Sequence, residues 1–148
     1  MGLADRLRGQ RVYFDTNIFI YILEGNADYK GISEELMELL LEGVFKAFSS
    51  QLTFAEILPL LVRRGDEGII SETIEFLRDS ELFSLCSVNE DISIQAGFLR
   101  GELNMKTPDA LHVATALYQR CDIFLTNDQG IRTPEGMQRL LFSDFINE

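Results

Sequence analysis

At 148 residues the chain is long enough for one domain with a real core, and its 46% hydrophobic and 25% charged residues are ordinary for a globular protein in water. No apolar run reaches the roughly 18 residues of a membrane span, and the opening MGLADRLRGQ lacks the apolar centre of a signal peptide; a cytoplasmic protein without membrane contact is expected. The net charge of −11 counts, taken alone, against a nucleic-acid partner, because phosphate backbones attract Lys and Arg.

In chain order, Val12, Tyr13 and Phe14 form a β-branched and aromatic run that predicts a buried strand. It stops at Asp15, and Thr16-Asn17 cap an apolar helical run from Ile18 to Leu23. After a turn at 25–28, Ser33 is expected to cap SEELMELLLEG, with Leu36, Leu39 and Leu40 on its buried side and Gly43 as its stop. Val44 to Ser49 predicts a second strand. Thr53 opens the helix TFAEILPLLVRRG, in which Pro59 is expected to kink or end an early turn. Asp66 starts another amphipathic helix, and Leu82 to Val88 predicts a third strand. Asn89 caps NEDISIQAGFLRGELN. Thr107-Pro108 starts TPDALHVATALYQRC, with Pro where its missing N–H does no harm. Ile123 to Leu125 predicts a fourth strand, followed by Thr126-Asn127-Asp128. A short helix from Pro134 and an apolar segment around Leu140 to Phe145 close the chain. Alternating strands and helices predict an α/β fold over residues 1–148, one domain of three α/β/α layers around a mostly parallel sheet of four to five strands. Cys86 and Cys121 stand beside strands without metal-ligand spacing and read as reduced core thiols.

Many of the acids read as solvated helix faces: Glu34, Glu35, Glu38 and Glu42 on one helix, Glu67, Glu72 and Glu75 on another. Four others are embedded in apolar sequence at element ends: Asp15 after VYF, Glu56 in LTFAEIL, Asp109 in TPDALHVATAL, and Asp128 after FLTN. Singly, each has a structural role open to it. Asp15 can cap a helix, Thr53 and Glu56 have capping-box spacing, Asp109 complements a helix dipole, and Asp128-Gln129-Gly130 can turn. Jointly, strand ends and helix starts meet at the carboxyl edge of a parallel sheet. Carboxylates gathered there repel one another unless a cation holds them, and Mg²⁺ or Mn²⁺ is the hard cation that carboxylate and water oxygens satisfy.

Together and in this order, FDTN at Asp15, the helix with Glu56, PDALHVATA at Asp109 and FLTND at Asp128 resemble the PIN-domain family, and within it the VapC-type toxin ribonucleases of toxin–antitoxin pairs. The resemblance runs from about Val12 to Asp128. It implies a PIN-like fold and an Mg²⁺/Mn²⁺ site made of Asp15, Glu56, Asp109 and Asp128. Asn17 and Thr126 match supporting polar positions, and Lys106 is the best-placed phosphate contact, with Arg63-Arg64 and Arg132 as further candidates. The implied reaction is hydrolysis of RNA phosphodiesters by a metal-activated water. The implied partners are an RNA substrate, an antitoxin protein and a second copy of the chain. The sequence departs from the pattern after TND, where Gln129-Gly130-Ile131 replaces an acid and an aromatic. The competing readings are a PIN-fold nuclease outside any toxin–antitoxin pair and an inactive PIN-fold binding domain.

His112, the single histidine, lies one helical turn after Asp109 and is expected to pack beside the acids, with a proton-carrying role as the alternative. Phe14, Phe19, Tyr21 and Phe54 are expected in the core instead of stacking on bases. No nucleotide-binding glycine loop and no Ser- or Cys-based nucleophile arrangement is present.

Overall fold

A computed structural model describes residues 1–146. Five parallel strands form one sheet: β1 (Arg11–Phe14), β2 (Lys46–Ser50), β3 (Phe83–Cys86), β4 (Ile123–Thr126) and β5 (Gln138–Leu141), in the order β3-β2-β1-β4-β5. Seven helices are described: α1 (Leu3–Leu7), α2 (Thr16–Glu24), α3 (Lys30–Leu41), α4 (Leu52–Arg64), α5 (Glu67–Leu77), α6 (Glu90–Leu103) and α7 (Thr107–Tyr118). None is long and apolar enough to cross a membrane.

Side-chain alternation along the strands divides the core into two. Val12, Phe14, Ala47, Phe83, Leu125 and Leu140 face one layer with α1 to α5, while Tyr13, Phe48 and Phe124 face α6 and α7. This is the expected three-layer α/β/α arrangement. Because both faces are covered, the strands read as near-continuous apolar runs. The chain leaves β1 toward β2 on one side and returns through β4 on the other. The strand order therefore reverses between β1 and β4, the switch point at which sheets of this kind form a crevice beyond the carboxyl ends.

Four local expectations are corrected. Helix α3 begins at Lys30, so Ser33 lies inside it, donating its N–H to Tyr29 O at 2.8 Å, and its buried hydroxyl has no partner. Tertiary packing sets that start: the Tyr29 ring lies 4.1 Å from Tyr21 and 5.8 Å from Phe142, centroid to centroid. Helix α4 begins at Leu52 and runs on through Pro59; the carbonyl that Pro59 leaves without a donor belongs to exposed Ala55, within reach of water. No helix follows Pro134. Met137 N–H closes a turn on Pro134 O, and Gly136 takes a left-handed φ of 96° that a helix excludes. The apolar segment after it is strand β5 and a 3₁₀ turn, Phe142–Phe145. Cys121 is buried and Cys86 half-buried, both unpaired, and burial pushes the Cys121 thiol up to about 12.

Phe14 is fully enclosed, with Phe19, Phe45 and Phe83 rings within 6.0 Å of its own. Phe14→Ala is expected to lower unfolding free energy by about 3–5 kcal/mol through lost burial and a residual cavity, as read by urea denaturation at constant m-value.

Candidate metal centre

Asp15 is the first residue past β1, still bonded to the sheet by its N–H to Leu125 O at 3.0 Å. It also caps α2, with its Oδ1 accepting from Thr16 N–H at 2.8 Å. The cap is thus Asp15 itself and not Thr16-Asn17, because the chain turns immediately at the strand end. Oδ2 accepts from the Thr126 hydroxyl at 2.7 Å and, more weakly, from Asn17 Nδ2 at 3.4 Å. Asn17 Nδ2 also reaches Thr126 Oγ1 at 3.3 Å, and its Oδ1 accepts from Asn127 N–H at 3.1 Å. Asn17 and Thr126 thus both contact the Asp15 carboxylate.

The carboxylate is only 8% exposed. Burial pushes its pKa above the usual carboxylate value, further raised by Glu56, while His112, Thr126 and the Thr16 N–H pull it back in part. Asp109, in the first turn of α7, is also raised, first by burial and then by the charges of Asp128 and Asp15; Lys106 and His112 offset these. Asp109 thus senses acids from two other segments across the crevice. Asp128 sits at the exposed mouth, with its N–H on Thr126 Oγ1 at 3.0 Å and its Oδ1 accepting from Gly130 N–H at 2.8 Å. A Cβ on residue 130 would meet that oxygen at 3.1 Å, so glycine admits the close turn.

Glu56 is placed differently. The capping box with Thr53 does not form. The Glu56 side chain turns inward, where Oε1 accepts from the Thr16 hydroxyl at 2.8 Å and lies 2.5 Å from His112 Nε2. Burial raises the Glu56 pKa, but the hydrogen bond and charge of His112, with the Thr16 hydroxyl, outweigh it and hold the carboxyl below its usual value. His112 is buried, and its Nδ1 lies 2.7 Å from the Tyr13 hydroxyl. Thr53 Oγ1 bridges Thr16 and Ser49 at 3.2 and 3.3 Å, and Ser49 donates to Phe14 O at 2.8 Å. Tyr13 and Ser49 escaped the sequence reading because they look like ordinary strand residues, and Thr53 was read only as a cap; only the His112 spacing from Asp109 hinted at the network.

Asp15, Asp109 and Asp128 suit a hard divalent cation by charge and donor type. As they stand, no three His, Cys, Asp or Glu side chains among the described residues are close enough together to enclose an ion. The structure thus offers unbalanced oxygen charge at a crevice, not a preformed cage. Among the cations, Lys106 lies near enough to act on Asp109, and Arg132 donates to Leu103 O at 3.3 Å in the loop leading to Lys106. Arg63 and Arg64 end α4, roughly 11 Å along its axis from Glu56, and Arg64 pairs with Glu24 at 2.8 Å.

A sequence profile of the PIN domain matches residues 12–136. The chain belongs to the PIN-domain family. Comparison with curated protein sequences finds no match. Among solved structures, the chain is similar to a toxin–antitoxin complex from Klebsiella pneumoniae, with 21% identity over 88% of this chain and 97% of that one and a TM-score of 0.63. VapBC2 from Rickettsia felis, solved with a DNA fragment from its promoter, is 15% identical over 88% and 98%, with a TM-score of 0.68. The Mycobacterium tuberculosis toxin VapC20, described as cleaving the sarcin–ricin loop, is 16% identical over 76% and 86%, with a TM-score of 0.61.

A carboxyl group with a raised folded-state pKa favours the folded state at low pH, and that contribution is lost as pH rises through the raised value. At neutral pH, ionised Asp15 therefore costs the metal-free protein stability. Asp15→Asn, which keeps an acceptor for the Thr16 N–H and can donate its amide N–H to the Thr126 hydroxyl oxygen, is expected to melt higher than wild type at pH 7 in the presence of chelator. The difference should close as pH falls into the ordinary carboxylate range; calorimetric scans across pH check it.

Proposed function

We propose that this protein is an Mg²⁺- or Mn²⁺-dependent endoribonuclease, the toxin of a toxin–antitoxin pair, with Asp15, Glu56, Asp109 and Asp128 as its working acids. The observation that carries this reading is that Asp109 is raised by burial and by the charges of both Asp128 and Asp15 at the carboxyl edge of β1 and β4. Proteins do not keep such charge without a counter-charge, and a divalent cation is the natural one. In the toxin–antitoxin neighbours the same fold carries a toxin, which supports the assignment.

Asp15, Asp109 and Asp128 would hold the ion, with Glu56 at the inner wall. When bound, Mg²⁺ or Mn²⁺ supplies Lewis acidity to a phosphodiester and lowers the pKa of water. The chain's own residues do the rest. Thr16, Thr126 and Asn17 fix the Asp15 carboxylate at both oxygens. Lys106 and Arg132 stand at the rim as phosphate contacts, in a protein whose acids otherwise repel RNA. Hydrolysis by water needs no covalent enzyme intermediate.

The antitoxin has a suitable seat. A groove of about 720 Å³ runs between α2, α4 and α5, lined by Ile20, Leu23, Leu60, Ile69 and Phe76, with the Arg64–Glu24 pair among its lining residues. Its apolar walls fit an amphipathic segment of a partner protein. A homodimer and a cytoplasmic location belong to the same reading. A second reading is a PIN-fold binding domain without activity.

An RNA cleavage assay separates the two. Cleavage is expected with Mn²⁺ or Mg²⁺, abolished by chelation, and reduced on the order of a hundredfold or more in Asp15→Asn and Asp109→Asn. Wild-type protein that leaves RNA intact with either metal supports the binding domain instead.

A further inference from the structure

Tyr13, His112 and Glu56 form a buried line from the middle of the sheet to the acidic crevice, and at its Glu56 end the hydrogen bonds run one way. The ionised Glu56 carboxylate only accepts hydrogen bonds. At 2.5 Å, His112 Nε2 must therefore carry the proton that lies between them. The Thr16 hydroxyl, 2.8 Å from the same Oε1, must likewise donate. Nδ1 lies 2.7 Å from the Tyr13 hydroxyl, which can donate to it in the neutral ring or accept from it in the charged one. A flip of the ring by 180° would put carbon atoms against both partners, so two contacts on opposite edges fix its orientation. The ring has no freedom to escape: His112 is 2% exposed, and Tyr13 is fully enclosed and stacked on Phe124 at 5.0 Å.

We propose that Tyr13 and His112 are positioning residues that clamp the Glu56 carboxylate by one oxygen, so that it faces the candidate cation site in a single orientation. The inference rests on the reading of the acids as a metal centre. It explains why a polar Tyr–His pair occupies the core between β1 and α7, where apolar side chains would pack at no cost in desolvation. It also explains the missing capping box: the clamp competes with the α4 backbone for the Glu56 carboxylate and wins, because two donors, one of them an imidazole, outweigh one terminal N–H. Thr16 ties the clamp to Asp15, since its N–H serves Asp15 Oδ1 while its hydroxyl serves Glu56 Oε1.

The test uses the full chain, with Mn²⁺ binding measured by calorimetry and the imidazole read by ¹⁵N NMR without metal. Wild type is expected to show Nε2 protonated. His112→Leu, which removes the clamp, is expected to weaken Mn²⁺ binding about tenfold or more, as loss of a ligand's hydrogen-bonding partner does elsewhere. His112→Gln places an amide N–H near the Nε2 position and should restore most of the affinity. Tyr13→Phe keeps the stack on Phe124, removes one pin, and should give a smaller loss with a broadened imidazole signal. A neutral imidazole carrying its proton on Nδ1 overturns the proposal. So does wild-type Mn²⁺ affinity in a folded His112→Leu. Should His112→Leu not fold, Tyr13→Phe decides: unchanged affinity and an unchanged imidazole signal overturn the clamp. Wild-type protein with protonated Nε2 and no Mn²⁺ binding instead sinks the metal reading of the acids, and with it any positioning role toward an ion.

Discussion

The constraint on which the rest depends is a carboxylate delivered to the buried end of the central strand. β1 is paired on both sides, so Asp15 emerges with β4 alongside and α2 starting at once. Burial opposes its charge, and three donors from two elements answer in part. The neighbouring acids work the other way. Asp109, in the first turn of α7, is raised by burial and by the charges of Asp128, on the loop after β4, and of Asp15, and Lys106 and His112 offset this only in part. A crevice of this kind is costly for the metal-free fold, and the divalent cation of the proposed function would offset that cost.

The overall charge of −11 is a poor guide to what such a crevice admits. Glu34, Glu35, Glu38 and Glu42 belong to α3 and its C-terminal end and lie in solvent. Near the crevice stands Lys106, whose segment is held by Arg100 through Met105 O at 3.4 Å, while Arg132 donates to Leu103 O at the end of α6. The sign of the field at a site depends on these few nearby charges more than on the sum, because salt screens the remote ones within about 8 Å.

Helix α2 joins the two surfaces that the proposed function uses. Its first turn is built on Asp15, and its last turns contribute Ile20 and Leu23 to the apolar groove. With only nine residues, roughly 14 Å of helix separate a carboxylate from a docking wall. A protein bound in the groove would rest on the helix whose N-cap is the first proposed ligand.

What the sequence alone determined was whatever depends on neighbours in the chain. Strand runs, the Asp66 and Asn89 caps and Pro108 at a helix start act over a few residues, and all are found. The order of acids at element ends was legible for the same reason, because parallel α/β topology sends every strand end to one edge. Tertiary structure decided the remainder. The start of α3 was set by the Tyr29 stack on Tyr21 and Phe142, and β5 was made by pairing with β4, neither of which leaves a local signal. Glu56 was decided the same way. Its spacing from Thr53 suits a capping box, yet it joins His112 and Thr16, which lie 56 and 40 residues away in sequence. Hydrogen bonds between such distant residues exist only once the sheet has brought β1, α4 and α7 to a common edge, and no local pattern encodes them.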